Sequence, residues 1–176
     1  MLRNKLILSD SAQRNVTITV VALILSFLFS FASIPVASAA TTTGFQFSGT
    51  WDYTCNPPDC SAAFTEDGIV RGTFGTMKLT DTGTVIGGPD ANGCFTQAVT
   101  YTFTTQNPKG DSLVLDTPYN VFCPTADPNV LMVTITFTII GGTGQFAGAT
   151  GSGNALIVFK VHPQTAEGLF VGMVIH

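Results

Sequence analysis

The run Val133-Thr134-Ile135-Thr136-Phe137-Thr138-Ile139 alternates an apolar side chain with a threonine at every step. A period of two places β-branched and aromatic groups on one face of an extended strand and hydroxyls on the other. Val99-Thr100-Tyr101-Thr102-Phe103-Thr104 repeats the pattern earlier in the chain. No stretch after Ala40 has the three-to-four residue apolar spacing of a helix. Glycine, proline, asparagine and aspartate punctuate the strand runs at Asp81-Thr82-Gly83, Gly87-Gly88-Pro89-Asp90, Asn107-Pro108-Lys109-Gly110-Asp111 and Asp127-Pro128-Asn129.

Working outward, the pattern predicts strands over 44–54, 69–79, 83–87, 95–106, 112–122, 130–140, 153–161 and 168–175. Short strands at this spacing imply an all-β fold, an antiparallel barrel or sandwich. Closure into an eight-stranded antiparallel β-barrel of calycin-like form removes the bare edges that long Thr/Val strands would otherwise expose. The last two strands differ, because Leu156-Ile157-Val158-Phe159 and Leu169-Phe170-Val171 through Met173-Val174-Ile175 are apolar on both faces. Such strands need a cover outside as well as inside, and a second copy of the chain is the expected one.

The first residues have a different character. Arg3, Lys5 and Arg14 precede an apolar run from Val16 to about Ile34, and Val36-Ala37-Ser38-Ala39-Ala40 follows. Basic start, apolar middle and an Ala-x-Ala end are the three parts of a secretory signal. Residues 1–39 are therefore expected to be a signal peptide cleaved after Ala39, and 40–176 a single domain, secreted or periplasmic. That domain carries Arg71, Lys78, Lys109 and Lys160 against ten acids, a net charge of −6. Nucleic acid requires a basic footprint, so it is excluded as a partner. In an exported chain, Cys55, Cys60, Cys94 and Cys123 imply two disulfides. Three pairings exist, of which Cys55–Cys60 with Cys94–Cys123 is favoured because the first closes the small Asn56–Asp59 loop.

Gly141-Gly142-Thr143-Gly144-Gln145-Phe146-Ala147-Gly148-Ala149-Thr150-Gly151 is the most distinctive segment. A dinucleotide loop needs G-x-G-x-x-G opening a helix; here the third glycine comes one residue late and another strand follows. The segment reads instead as a structural connection: Gly141, Gly142, Gly144, Gly148 and Gly151 permit tight turns, and Phe146 serves as an inward stopper. With the Thr-Ile-Thr-Phe-Thr-Ile strand before it, this segment resembles the allene oxide cyclase/dirigent barrel superfamily, in particular its exported bacterial members. Phe47-Ser48-Gly49-Thr50-Trp51 and Gly110-Asp111-Ser112-Leu113 are similar to those members as well. The resemblance implies an eight-stranded barrel with an apolar cavity, often trimeric. The position after Ala149, an arginine in plant dirigent proteins, is Thr150 here, and no position matches the catalytic residues of the plant cyclases.

Residues able to move protons are sparse. His162 and His176 are expected to be solvated and form no metal site; Asp90-Ala91-Asn92-Gly93 lacks most ligands of a calcium loop. Glu66 and Asp67, adjacent before Gly68, read as solvated turn residues. Asp52 beside Trp51, and Asp116 and Tyr119 around Pro118, are the candidate catalytic groups. Phe74, Phe103, Phe137 and Phe159 are the expected lining of a ligand cavity, since a barrel of eight strands either fills itself or holds one small guest. These residues point to an exported barrel that binds a small hydrophobic molecule or a partner, without cofactor or metal. An isomerase or cyclase that steers an apolar substrate by shape is the alternative.

Overall fold

The computed structural model describes residues 40–56 and 62–176. The expected leader at 1–39 lies outside the described residues, as does Cys60 with its expected bond to Cys55; Cys55 itself is not a free thiol.

Eight antiparallel strands form a closed barrel in which every strand pairs with its chain neighbour and the last returns to the first. They are β1 (Thr42–Asn56), β2 (Ala63–Gly72), β3 (Gly75–Gly87), β4 (Phe95–Thr105), β5 (Ser112–Pro124), β6 (Val130–Gly142), β7 (Thr150–Lys160) and β8 (Thr165–Ile175). The period of two in the sequence becomes an inside and an outside. Val133, Ile135, Phe137 and Ile139 of β6 are buried while Thr134, Thr136 and Thr138 face solvent. The same alternation puts Phe45, Phe47, Trp51 and Tyr53 of β1 into the lumen.

One end of the barrel is sealed. Here the β6–β7 connection makes a single 3-10 turn at Gly144–Phe146, and Phe146 is driven inward to 1% exposure. Its ring meets Phe74 edge-on at 5.0 Å. Phe45, Phe47, Phe103, Phe137 and Phe170 stack above that stopper with centroids 5.2–6.2 Å apart, a range in which aromatic pairs add to area burial. Gly144 is held at φ +58°, and a Cβ there would run into the Asp111 side chain, so this position requires glycine.

Two expectations are corrected. The chain does not turn at Asp81-Thr82-Gly83, and no strand spans 69–79. β2 ends at Gly72, the chain reverses through Thr73 and Phe74, and β3 runs unbroken from Gly75 to Gly87. Asp-Thr-Gly has turn chemistry, but Met77, Leu79, Asp81 and Gly83 continue one inward-facing frame, and that frame outweighs the local preference. Phe74 consequently lies in the turn and packs on the core from the sealed end, not from within a strand.

The outer wall carries Leu169, Val171, Met173 and Ile175 along β8, between 39% and 49% exposed, with Leu156 of β7 opposite Leu169. Apolar residues on both faces of the last strands are thus a feature of the fold, and the outer set is uncovered in the single chain.

Candidate functional site

At the end opposite the Phe146 stopper the described residues leave a recess into the barrel. Tyr53, Phe64, Phe95, Gln97, Phe122, Leu131, Phe159, Val161, His162 and Gln164 line a cavity of about 310 Å³ there. The volume lies at the lower bound for small-molecule sites. Its walls are aromatic: Phe122 lies 5.2 Å from Phe159 and 6.5 Å from Phe64, and Tyr53 meets Phe159 edge-on at 5.5 Å. Tyr53 donates its hydroxyl to the Lys160 carbonyl at 3.1 Å, which fixes that ring in the wall. The Cys94–Cys123 disulfide ties β5 to the chain just before β4 at this rim. The residues next to it, Phe95 and Phe122, are register partners and both line the cavity.

Of the phenylalanines expected to line a cavity, only Phe159 does so. Phe103 and Phe137 face inward but belong to the packed half of the barrel, and Phe74 packs on the core from the far end. Asp52, Asp116 and Tyr119 are not brought together. Asp52 stands on the outer face of β1 and Tyr119 is 68% exposed. Asp116 also lies outside the lumen, with Thr100 Oγ1 donating to it at 3.4 Å. His162 is exposed at the cavity rim, and His176 is exposed with its ring 6.4 Å from Phe146.

Adjoining the cavity, and sharing Tyr53 with it, is a polar layer that sequence reading missed. Tyr53, Glu66, Asp81 and Tyr101 are successive register partners across β1, β2, β3 and β4, and all four face the lumen. Glu66 is 2% exposed and Asp81 7%. Directly opposed residues of this kind have Cβ atoms about 5 Å apart, so the two carboxyls face each other inside an apolar barrel. Neither makes a hydrogen bond of full geometry, and Tyr101 is likewise without one. The groups that act on Glu66 are Asp81 and the Trp51 indole N–H. Asp67, the neighbour of Glu66, points the other way and pairs with Lys78 at 2.7 Å in solvent.

Burial raises the Glu66 carboxyl well above the ordinary range, and the charge of Asp81 raises it further. Burial likewise lifts Asp81 to about 7, against a partly opposing contact from Glu66. Burial is the first cause of both shifts, because the interior disfavours the charged form of each carboxyl, and for Glu66 the charge of Asp81 adds to it. At neutral pH the pair therefore holds a proton on or between its oxygens, and it titrates as a unit. Tyr101 is fully buried and is pushed up by burial first and by the two carboxylates second. Tyr53 is raised by burial and then by Glu66.

Phe64 stands between the Glu66–Asp81 pair and the cavity. It precedes Glu66 by one inward step on β2, and its ring lies over Gly83, where a Cβ would collide with it. Among the described residues, no cluster of three or more His, Cys, Asp or Glu side chains has the arrangement to hold a metal ion.

Fold and site together define a class: a closed antiparallel barrel, stoppered at one end by an aromatic plug and open at the other into an aromatic-walled cavity. In sequence the chain matches no protein-family model and no curated protein.

Proposed function

We propose that this chain is an exported barrel of the allene oxide cyclase/dirigent type that binds one small apolar molecule in its open mouth. The observation that carries the reading is the cavity itself. Its walls are the rings of Tyr53, Phe64, Phe95, Phe122 and Phe159, and the space is left open although the opposite half of the lumen is filled. A barrel of eight strands has the diameter to be packed solid, so unfilled apolar space at one end is what a binding site needs. The disulfide at the rim supports an oxidising destination. The uncharged β8 stripe supports self-association through the outer wall, with a second copy as partner.

Native mass spectrometry of protein purified without detergent from its own host's culture fluid tests the reading. Bound mass of a few hundred daltons, released on denaturation, is the expected result. A ligand-free spectrum, with no uptake of added apolar probes, overturns it.

The Glu66–Asp81 pair favours a second reading, an isomerase or cyclase, because a buried carboxyl that stays protonated at neutral pH is a proton donor. Under it, Glu66→Gln would retain the guest but stop its conversion to an isomer, followed by chromatography of the released molecule. Equal conversion by the variant would count against this reading.

A further inference from the structure

Gln97 stands out among the cavity's lining residues. It is 7% exposed, and among the described residues its carboxamide oxygen is buried without a hydrogen-bond partner. Of the other polar side chains of the wall, the Tyr53 hydroxyl is engaged by Lys160 and the Gln164 amide by Cys55, and His162 is exposed at the rim.

The local architecture keeps Gln97 in place. Gln97 pairs with Asn120 and Val99 with Thr117, so β5 contains one more residue than β4 over this step. The surplus is taken up at Pro118 and Tyr119, both outside the wall. Such a bulge redirects side chains, and here Thr117 and Asn120 both turn inward. Asn120 Nδ2 donates to Thr117 Oγ1 at 2.7 Å, and Thr117 Oγ1 donates to the Val99 carbonyl at 2.8 Å. Asn120 is 1% exposed, and its own side-chain oxygen is also without a partner. A distortion of the barrel wall thus sets Gln97, which lines the cavity, beside Asn120, which does not, with both amide oxygens unused among the described residues. Buried acceptors cost free energy unless something donates to them.

We propose that Gln97 is the ligand-recognising residue of the cavity, and that its guest is a neutral ring compound with an amide-type edge, an N–H beside a C=O as in a lactam or carboxamide. The inference rests on the binding reading above and names the chemical class of the guest. A carboxamide offers an acceptor and a donor in one plane, and the complementary surface is another planar donor–acceptor pair. The aromatic walls fit a flat ring on its faces and edges. Charge points the same way. Among the described residues no lysine or arginine lines the cavity, and the Glu66–Asp81 pair lies close to it, so the walls offer an anionic guest little to offset its desolvation.

The test compares two probes of nearly equal shape, isoquinolone and naphthalene, by calorimetric titration of the mature protein and of Gln97→Leu. A satisfied buried hydrogen bond, set against an unsatisfied one, is worth about tenfold or more in affinity. The wild type is therefore expected to bind isoquinolone at least that much more tightly, and Gln97→Leu to bring the two affinities together while naphthalene still binds. Equal affinities in the wild type, or a preference unchanged in Gln97→Leu, overturn the assignment to Gln97 and leave the cavity as a general apolar site. Failure of both probes to bind the wild type overturns the binding reading together with the inference. N-methylisoquinolone, titrated into the wild type, probes the same contact without a variant: it should lose the preference, and retention of the preference refutes the role of the donated N–H.

Discussion

Raising the pH should weaken this barrel, because Glu66 and Asp81 hold a proton in the folded state that they lose readily when unfolded. Asp81 titrates ordinarily at 3.8 and in the barrel at about 7. Between those values the folded chain binds more protons than the unfolded one, so unfolding free energy falls with rising pH. Below the unfolded value both states are protonated and the full stability is present; above the folded value both are ionised and the loss is complete. Each pH unit of separation is worth about 1.4 kcal/mol, so Asp81 alone accounts for a loss on the order of 4 kcal/mol between about pH 4 and 7. Glu66 is also raised and adds to the loss as pH rises above its ordinary value. For a domain of this size, about 4 kcal/mol corresponds to roughly 10–20 °C in melting temperature.

Thermal unfolding followed by circular dichroism from pH 4 to 8 measures the slope. Asp81→Asn and Glu66→Gln should flatten it and raise stability at pH 8, since each removes one of the two opposed charges. A wild-type profile that is flat, or that rises over this range, would refute the shared-proton argument. So would an Asp81→Asn variant with the wild-type slope.

Three further outcomes are expected. Gly83→Val places atoms where the Phe64 ring lies; it should cost about 1–3 kcal/mol by overpacking and reduce apolar-probe binding, measured by denaturant unfolding and dye titration. Reducing Cys94–Cys123, which closes a separation of 29 residues, should lower stability by about 3–4 kcal/mol, seen as a drop in the denaturation midpoint with dithiothreitol. Val171→Lys, on the exposed β8 stripe, should shift the light-scattering mass of any self-associated form to that of one chain while leaving the melting profile of the barrel intact; an unchanged oligomer mass would place the contact elsewhere.

How much of this was legible in the residues depended on whether a local signal agreed with the two-residue frame. Where threonines alternate with apolar groups, as in β4 and β6, strand and facing follow directly. The stopper role of Phe146 was legible because one large apolar residue sits among glycines that free its backbone. Asp81-Thr82-Gly83 misled because its turn chemistry is strong and its inward frame, Met77-x-Leu79-x-Asp81, places a carboxylate where only apolar groups are ordinarily expected. Glu66 was hidden for the same reason, although Phe64-x-Glu66-x-Gly68-x-Val70 holds it on the buried side of β2. Asp52 drew attention by its place beside Trp51 and Asp116 by the nearby Pro118, and both lie outside the lumen. Gln97 shares the frame of Val99, Tyr101 and Phe103; what no local pattern carries is the bulge at Pro118 and Tyr119, a property of two strands and not of one.

The seam between β1 and β8 has a consequence for how the chain reaches its final form. Thr42 pairs with Ile175, and the hydrogen bonds between Thr41 and His176 extend the ladder one step beyond. The first strand therefore stays half-bare through the synthesis of every later one, with Phe47 and Trp51 still lacking the Phe170 side of their packing. Contacts this distant along the chain are slow to form, and an unpartnered strand edge invites pairing with another molecule. Between emergence and closure the barrel is most vulnerable to aggregation and proteolysis, and a chain that stops short of β8 should remain in that state.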